Sequence, residues 1–185
     1  MSPAPHENRT DLQLVEALNH GDAAAFEVLY FRHRDWVMRL AMRFTGHHED
    51  ALDVLQETFA YFVRKFPGFE LTAAVTTFLY PAVKNLSLAA RRRRLRSVSA
   101  NQDMLSLIPE PLSSGSADGD ELTQTLAGLS DAHREILLMR FVDEMTQPEI
   151  AAALDVPLGT VKSRLHHAQL AIRQSPEILE RLADE

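Results

Sequence analysis

The stretch "LSDAHREILLMRFVDEMTQPEIAAALDVPLGTVKSRLHHA", Leu129 to Ala168, decides the fold of this chain. Ser130 is a side-chain acceptor placed to cap a helix carrying Ile136, Leu137, Met139, Arg140 and Phe141. Thr146-Gln147-Pro148-Glu149 has the form of a capping box, with proline in the first turn, where its missing N–H is no loss. It opens a helix with Ile150, Ala151 and Leu154, and Asp155-Val156-Pro157 makes a turn. The last helix carries Val161, Leu165, Ala168 and Ile172. A short helix, a tight turn and a second helix with a basic outer face describe a helix-turn-helix. Val161 and Leu165, four apart, face the core, so Lys162, Ser163, Arg164 and His167 project outward. The start of such a helix offers free amides to phosphate. Gly159 removes a side chain where a backbone must come close, and Lys162 and Arg164 can neutralise phosphates or read guanine edges.

Working back from that unit, the segment from Ser97 to Gly119 changes character. It holds Pro109, Pro111, Gly115, Gly119 and several serines, and no helical stripe persists. This composition predicts a flexible linker over residues 97–121, with a short apolar patch at Met104, Leu105, Leu107 and Ile108. Ahead of it the chain returns to helical periodicity. Phe26, Leu29, Tyr30, Val37, Leu40 and Phe44 form one stripe, ended by the turn at Thr45-Gly46-His47-His48. Leu52, Leu55, Phe59, Phe62 and Phe66 form a second, stopped by Pro67-Gly68. Phe78, Leu79, Val83, Leu86 and Leu88 form a third, running into an arginine cluster. Pro81 lies within that stripe, which predicts either a helix beginning close to it or a kink. No strand alternation intervenes. The predicted fold is all-α: one helical domain over 10–96, the linker over 97–121, and a second domain with the helix-turn-helix over 122–175, whose first stripe is Leu126 and Leu129.

Charge distribution says more than charge balance. The chain of 185 residues has a formal net charge of −7, which taken alone argues against a nucleic-acid partner. Yet Arg64, Lys65, Lys84, Arg91, Arg92, Arg93, Arg94 and Arg96 face a single acid, Glu70, between Tyr61 and Arg96. Lys162, Arg164 and Arg173 face none between Pro157 and Ser175, whereas the linker carries acids and no Lys or Arg. Two basic islands in an acidic chain predict two local phosphate-binding surfaces. With no cysteine, disulfides, thiolate metal sites and cysteine nucleophiles are excluded. No apolar run is long enough to span a bilayer, and the polar start of the chain lacks a signal-peptide core, so the expectation is a cytoplasmic protein without membrane insertion.

The C-terminal stretch, above all "GTVKSRLHHA" from Gly159, resembles region 4 of the extracytoplasmic-function sigma factors of the sigma-70 family. The resemblance implies contacts with the promoter −35 element and with the flap of the RNA polymerase β subunit. It places Gly159, Thr160, Lys162, Ser163, Arg164 and His167 at the DNA, with His167 standing where the family more often has arginine. The first half resembles region 2 of the same family. "LVEALNHGDAAAFEVLYFRH", Leu14 to His33, matches its opening helix, and "DALDVLQETFAYFVRKF", Asp50 to Phe66, matches the helix that docks on the polymerase β′ clamp. By that resemblance Asp53, Gln56 and Glu57 contact the clamp. The periodicity agrees, since Leu52, Leu55 and Phe59 take the buried stripe and leave the three polar residues mostly off it. Residues 78–96 are similar to the −10 recognition helix, with Lys84, Asn85, Arg91 and Arg92 at the DNA and Asn85 where the family has its typical asparagine. Phe78 stands in place of a frequent tryptophan, and Pro81 departs from the pattern. The loop from Pro67 to Thr76 occupies the place of the family's specificity loop, which holds a base flipped out of the −10 strand. The resemblance implies a transcription initiation factor that catalyses nothing and needs no cofactor. Its partners are core RNA polymerase, promoter DNA and an anti-sigma factor.

Other readings of the same residues are weaker. A free-standing helix-turn-helix regulator accounts for the C-terminal unit but leaves the Asp50–Phe66 helix without a purpose. The arginine run alone also suits a generic polybasic patch for RNA or lipid. His47-His48-Glu49-Asp50 and His166-His167 suggest a metal site or a small hydrolase, but adjacent histidines diverge on a helix and no second cluster accompanies them. Trp36, near Tyr30 and Phe31, reads as a packing residue rather than a stacking platform.

Overall fold

A computed structural model of the chain describes residues 8–100 and 129–173. Most of the expected linker, its apolar patch and Leu126 lie outside the described residues, as do residues 174 and 175. The described residues are mainly helical and divide into two compact units.

The N-terminal unit contains α1 (Asp11–Asn19), α2 (Ala23–Thr45), α3 (His48–Val63) and α4 (Val75–Ala100). Short polar side chains start the first two. Thr10 and Gln13 form a reciprocal capping box on α1, and Asp22 caps α2 through the Ala24 N–H. Gly46 ends α2 in the left-handed region at φ 64°, a conformation that glycine adopts without the Cβ penalty. α2, α3 and α4 pack on one another and α1 lies on α2. Leu14, Leu29, Val37, Leu40, Val54, Phe62, Leu79 and Tyr80 are all but inaccessible at the centre. Trp36 is buried with them, as a packing residue.

Four sequence expectations change. The second helix, expected to carry Phe66 up to Pro67-Gly68, ends at Val63, and Phe66 lies in the following loop. Leu52, assigned to the buried stripe of α3, is 39% exposed. At about 100° per residue the buried arc is centred between Ala51, Val54, Leu55, Thr58 and Phe62, and Leu52 falls at its edge. In α4, Leu86 and Leu88 are only half-buried, and Ser87 and Ala90 take the inner positions. Of the two alternatives at Pro81, a helix start is excluded, and the helix also runs past Arg96 into the expected linker. It begins at Val75 and continues to Ala100. Pro81 forgoes one backbone bond there, but Leu79, Tyr80 and Val83 around it are at most 1% exposed. Their burial offsets that loss, since each large apolar side chain contributes about 1.5–3 kcal/mol.

The C-terminal unit contains α5 (Asp131–Phe141), α6 (Gln147–Leu154) and α7 (Leu158–Arg173). Ser130 caps α5 through the His133 N–H. Thr146 and Glu149 form the expected capping box on α6, with the Thr146 N–H bonded to Glu149 Oε2 at 2.7 Å. Asp155 closes α6 in the left-handed region at φ 52°. The Pro157 carbonyl then accepts the Thr160 N–H at 2.9 Å and starts α7. Ile136, Met139, Met145, Ile150, Val161 and Ala168 form the core. Phe141, expected among the helix's apolar residues, is 61% exposed at the end of α5.

Candidate nucleic-acid interface

The outward face of α4 is set by its inward one. Val83, Ser87 and Ala90 are buried, so residues about 180° away point to solvent. Asn85 and Arg92 occupy that opposite line, seven residues apart, and both are exposed. Lys84 and Arg91 repeat the same spacing on the flank, Lys84 half-buried and Arg91 exposed. The next two arginines turn the other way. Arg93 lies 3.9 Å from Glu57 and Arg94 lies 3.8 Å from Asp50, both on α3. Arg94 thus turns toward the neighbouring helix, while Arg93 meets its acid from a largely solvent-exposed position. Asp50 also lies 4.0 Å from His47, just ahead of the first residue of α3.

On α3, Asp53, Gln56 and Glu57 are all exposed, as their spacing predicts. Leu52 and Val63 join the same outer surface, at 39% and 42% exposure. Beside them, Gln56, Ala60 and Val63 border an open apolar groove whose other wall is Phe26 and Tyr30 of α2. Thus the face is not purely acid and amide. It carries an apolar flank that the assumed stripe had hidden.

The loop between α3 and α4 is fastened by aromatic rings. Phe69 packs on Phe78 with ring centroids 4.6 Å apart, on Phe66 at 5.5 Å and on Phe62 at 5.8 Å. Tyr61 stacks on Phe78 at 5.9 Å, and the Lys65 ammonium sits 4.6 Å above the Tyr61 ring. Beyond Phe69, Glu70, Thr72 and Ala73 are exposed.

In the C-terminal unit, Val161, Leu165 and Ala168 are buried, and Lys162, Ser163 and His167 are exposed opposite them. Arg164 and Thr160 are half-buried, so Arg164 is less free than its sequence position predicts. A Cβ built on Gly159 meets nothing within 4 Å, so no packing inside the protein requires glycine there. His133 of α5 approaches His167, with ring centroids 6.4 Å apart. Among the described residues no three His, Asp or Glu side chains come together as a metal site would need. No helix among them is long and apolar enough to cross a membrane.

Two family models match the chain. Residues 29–97 match Sigma-70 region 2, and residues 125–174 match Sigma-70 region 4. The ECF RNA polymerase sigma-E factor of Escherichia coli is 33% identical over 184 residues, covering 90% of this chain and 94% of the relative. The ECF RNA polymerase sigma factor SigW of Bacillus subtilis is 26% identical over 174 residues, covering 86% and 93%. Among solved structures, CnrH in complex with the cytosolic domain of CnrY superposes with a TM-score of 0.64 at 23% identity, covering 88% of this chain and 94% of that one. The sigma factor RpoE in complex with the anti-sigma factor NepR, from Bartonella quintana, gives 0.59 at 23% identity, covering 84% and 96%. At these identities the structural likeness bears on the fold.

Proposed function

The chain belongs to the extracytoplasmic-function RNA polymerase sigma factors, and from that premise we propose how its two units divide the work of promoter recognition. As a sigma factor it binds core RNA polymerase and directs it to specific promoters. The exposed Asp53, Gln56 and Glu57 of α3, with Leu52 beside them, contact the β′ clamp. Asn85 and Arg92, flanked by Lys84 and Arg91, contact the −10 element, and the loop after α3 receives an unstacked non-template base. Gly159, Thr160, Lys162, Ser163, Arg164 and His167 contact the −35 element, while the same unit meets the β flap. The protein delivers polymerase and traps opened DNA, and it catalyses no step of its own. It works in the cytoplasm, needs no cofactor, and is held inactive by an anti-sigma factor.

The observation that carries this reading is the opposition of surfaces on α4. Its inner side is sealed against the bundle, and Asn85 and Arg92 stand on the opposite line. Gly159 adds support, because the open space around it suits a backbone or phosphate from outside the chain. The test is transcription in vitro with core polymerase and a promoter library. Enrichment of a paired −35 and −10 signature is expected. Transcription that stays unselective, together with tight duplex binding by the protein alone, points to a free-standing regulator instead.

A further inference from the structure

Asn19 is the last residue of α1, and its side chain binds a loop far along the chain. Its Oδ1 accepts the Gly68 N–H at 2.7 Å and the Phe69 N–H at 3.1 Å. Its Nδ2 donates to the Phe69 carbonyl at 2.8 Å. One carboxamide thus grips the Phe69 backbone on both its polar groups. Gly68 makes the grip possible. Its φ of +96° turns two consecutive amides toward one acceptor, and no neighbour crowds it, so glycine answers the backbone rather than packing. The Phe69 ring is fixed separately on Phe62, Phe66 and Phe78.

The platform behind Asn19 is itself secured. At the other end of α1, Asp11 bonds His33 Nε2 at 2.8 Å and pairs with Arg32, both on α2. The loop is therefore anchored at its root and exposed at Glu70, Thr72 and Ala73. A loop fixed in place before it captures a base loses less conformational freedom on capture.

We propose that Asn19 is a positioning residue for −10 recognition, holding the loop root at Gly68 and Phe69 so that its exposed part meets the unstacked base in one fixed geometry. This rests on the assignment of that loop to the −10 strand. Asn19 precedes residues 29–97, so it lies outside the segment matched to region 2.

The full-length protein with core polymerase tests it, on a library with a randomised −10 element and a fixed −35 element. Asn19→Ala is expected to flatten −10 base preference about tenfold and to speed exchange of the Gly68 and Phe69 amide hydrogens by a similar factor. Core polymerase affinity and preference on a −35 library stay within about twofold, because neither interface rests on this clamp. Asn19→Asp keeps both acceptor bonds but sets a carboxylate oxygen against the Phe69 carbonyl in place of the donor, so it falls between the parent and Asn19→Ala in −10 preference. The proposal is overturned if amide exchange rises while −10 preference is unchanged. It is also overturned if both preferences and polymerase affinity fall together, which marks a purely structural residue. A parent protein with no −10 preference overturns the loop assignment as well, and so separates the two failures.

Discussion

Asp11 shows how one side chain ties a sequence signal to a pH response. It follows the Thr10 cap, where a carboxylate favours the positive end of α1. Burial works to raise its pKa. The bonds and charges of His33 and then Arg32 outweigh that and hold the carboxyl below its ordinary value. A folded-state pKa lowered in this way stabilises the protein above the ordinary aspartate range, and the contribution is lost as pH falls through the lowered value. Melting temperature should therefore fall on acidification below about pH 5, with a shallower slope in Asp11→Asn. Equal slopes for the two proteins rule out this pair as a source of acid sensitivity. Leu52 gives a second residue-scale expectation. Being 39% exposed, it should tolerate Leu52→Ala at a cost of about 1 kcal/mol, yet that variant should weaken core polymerase binding. Asp53→Lys, on the same face, should also spare stability and reduce affinity. Wild-type affinity in both variants, measured by competition for core polymerase, removes α3 from the interface.

At the level of elements, what was legible in the sequence is what local chemistry decides. Ser130 and Thr146 announced the starts of α5 and α6 because a cap needs only its own first turn. Val161 and Leu165 announced the inner side of α7 in the same way. What was hidden depends on partners distant in sequence. Leu52 fits a three-and-four repeat, but the width of the buried arc is set by how α2 and α4 straddle α3. Local rules left Pro81 as either a helix start or a kink, and the core around Tyr80 carries the helix past it. The pairing of Arg93 and Arg94 needed the acids of α3 to be placed first. The Asn19 clamp had no sequence signal at all, since a helix-ending asparagine usually caps its own backbone. In α7 the half-burial of Arg164 separates it from Lys162. Lys162→Ala should weaken binding to all −35 variants alike, as loss of a phosphate contact does. Arg164→Ala should lose discrimination, at about 1–3 kcal/mol if it reads a base edge. Both should fold, whereas Val161→Asp, which buries a charge, should unfold the unit. Transcription from a −35-dependent promoter at parental levels in both alanine variants is the result that removes α7 from the DNA.

Across the whole chain, acidity and DNA binding are reconciled by the need for a partner. A net charge of −7 opposes approach to a polyanion. Part of the basic charge on the described surfaces is offset, because Arg93 and Arg94 lie beside Glu57 and Asp50. Each DNA-facing unit alone should therefore bind weakly. Held together on polymerase, the second contact becomes intramolecular, and overall affinity can rise by about 10²–10⁴ without any new contact. Fluorescence anisotropy on a promoter duplex should show weak binding by the protein alone and a steep gain when core polymerase is added. The logarithm of affinity should fall linearly with the logarithm of salt concentration, by about 0.9 for each phosphate neutralised. Arg92→Ala should make that slope shallower by about one, because Arg92 stands on the outermost line of α4. Arg94→Ala should leave the slope nearly unchanged, because its guanidinium is already paired with Asp50. The contrast between neighbouring arginines distinguishes a shaped interface from a diffuse polybasic patch. If both substitutions lower the slope equally, the run acts as undirected charge, and the outward line of α4 has no special role in binding DNA.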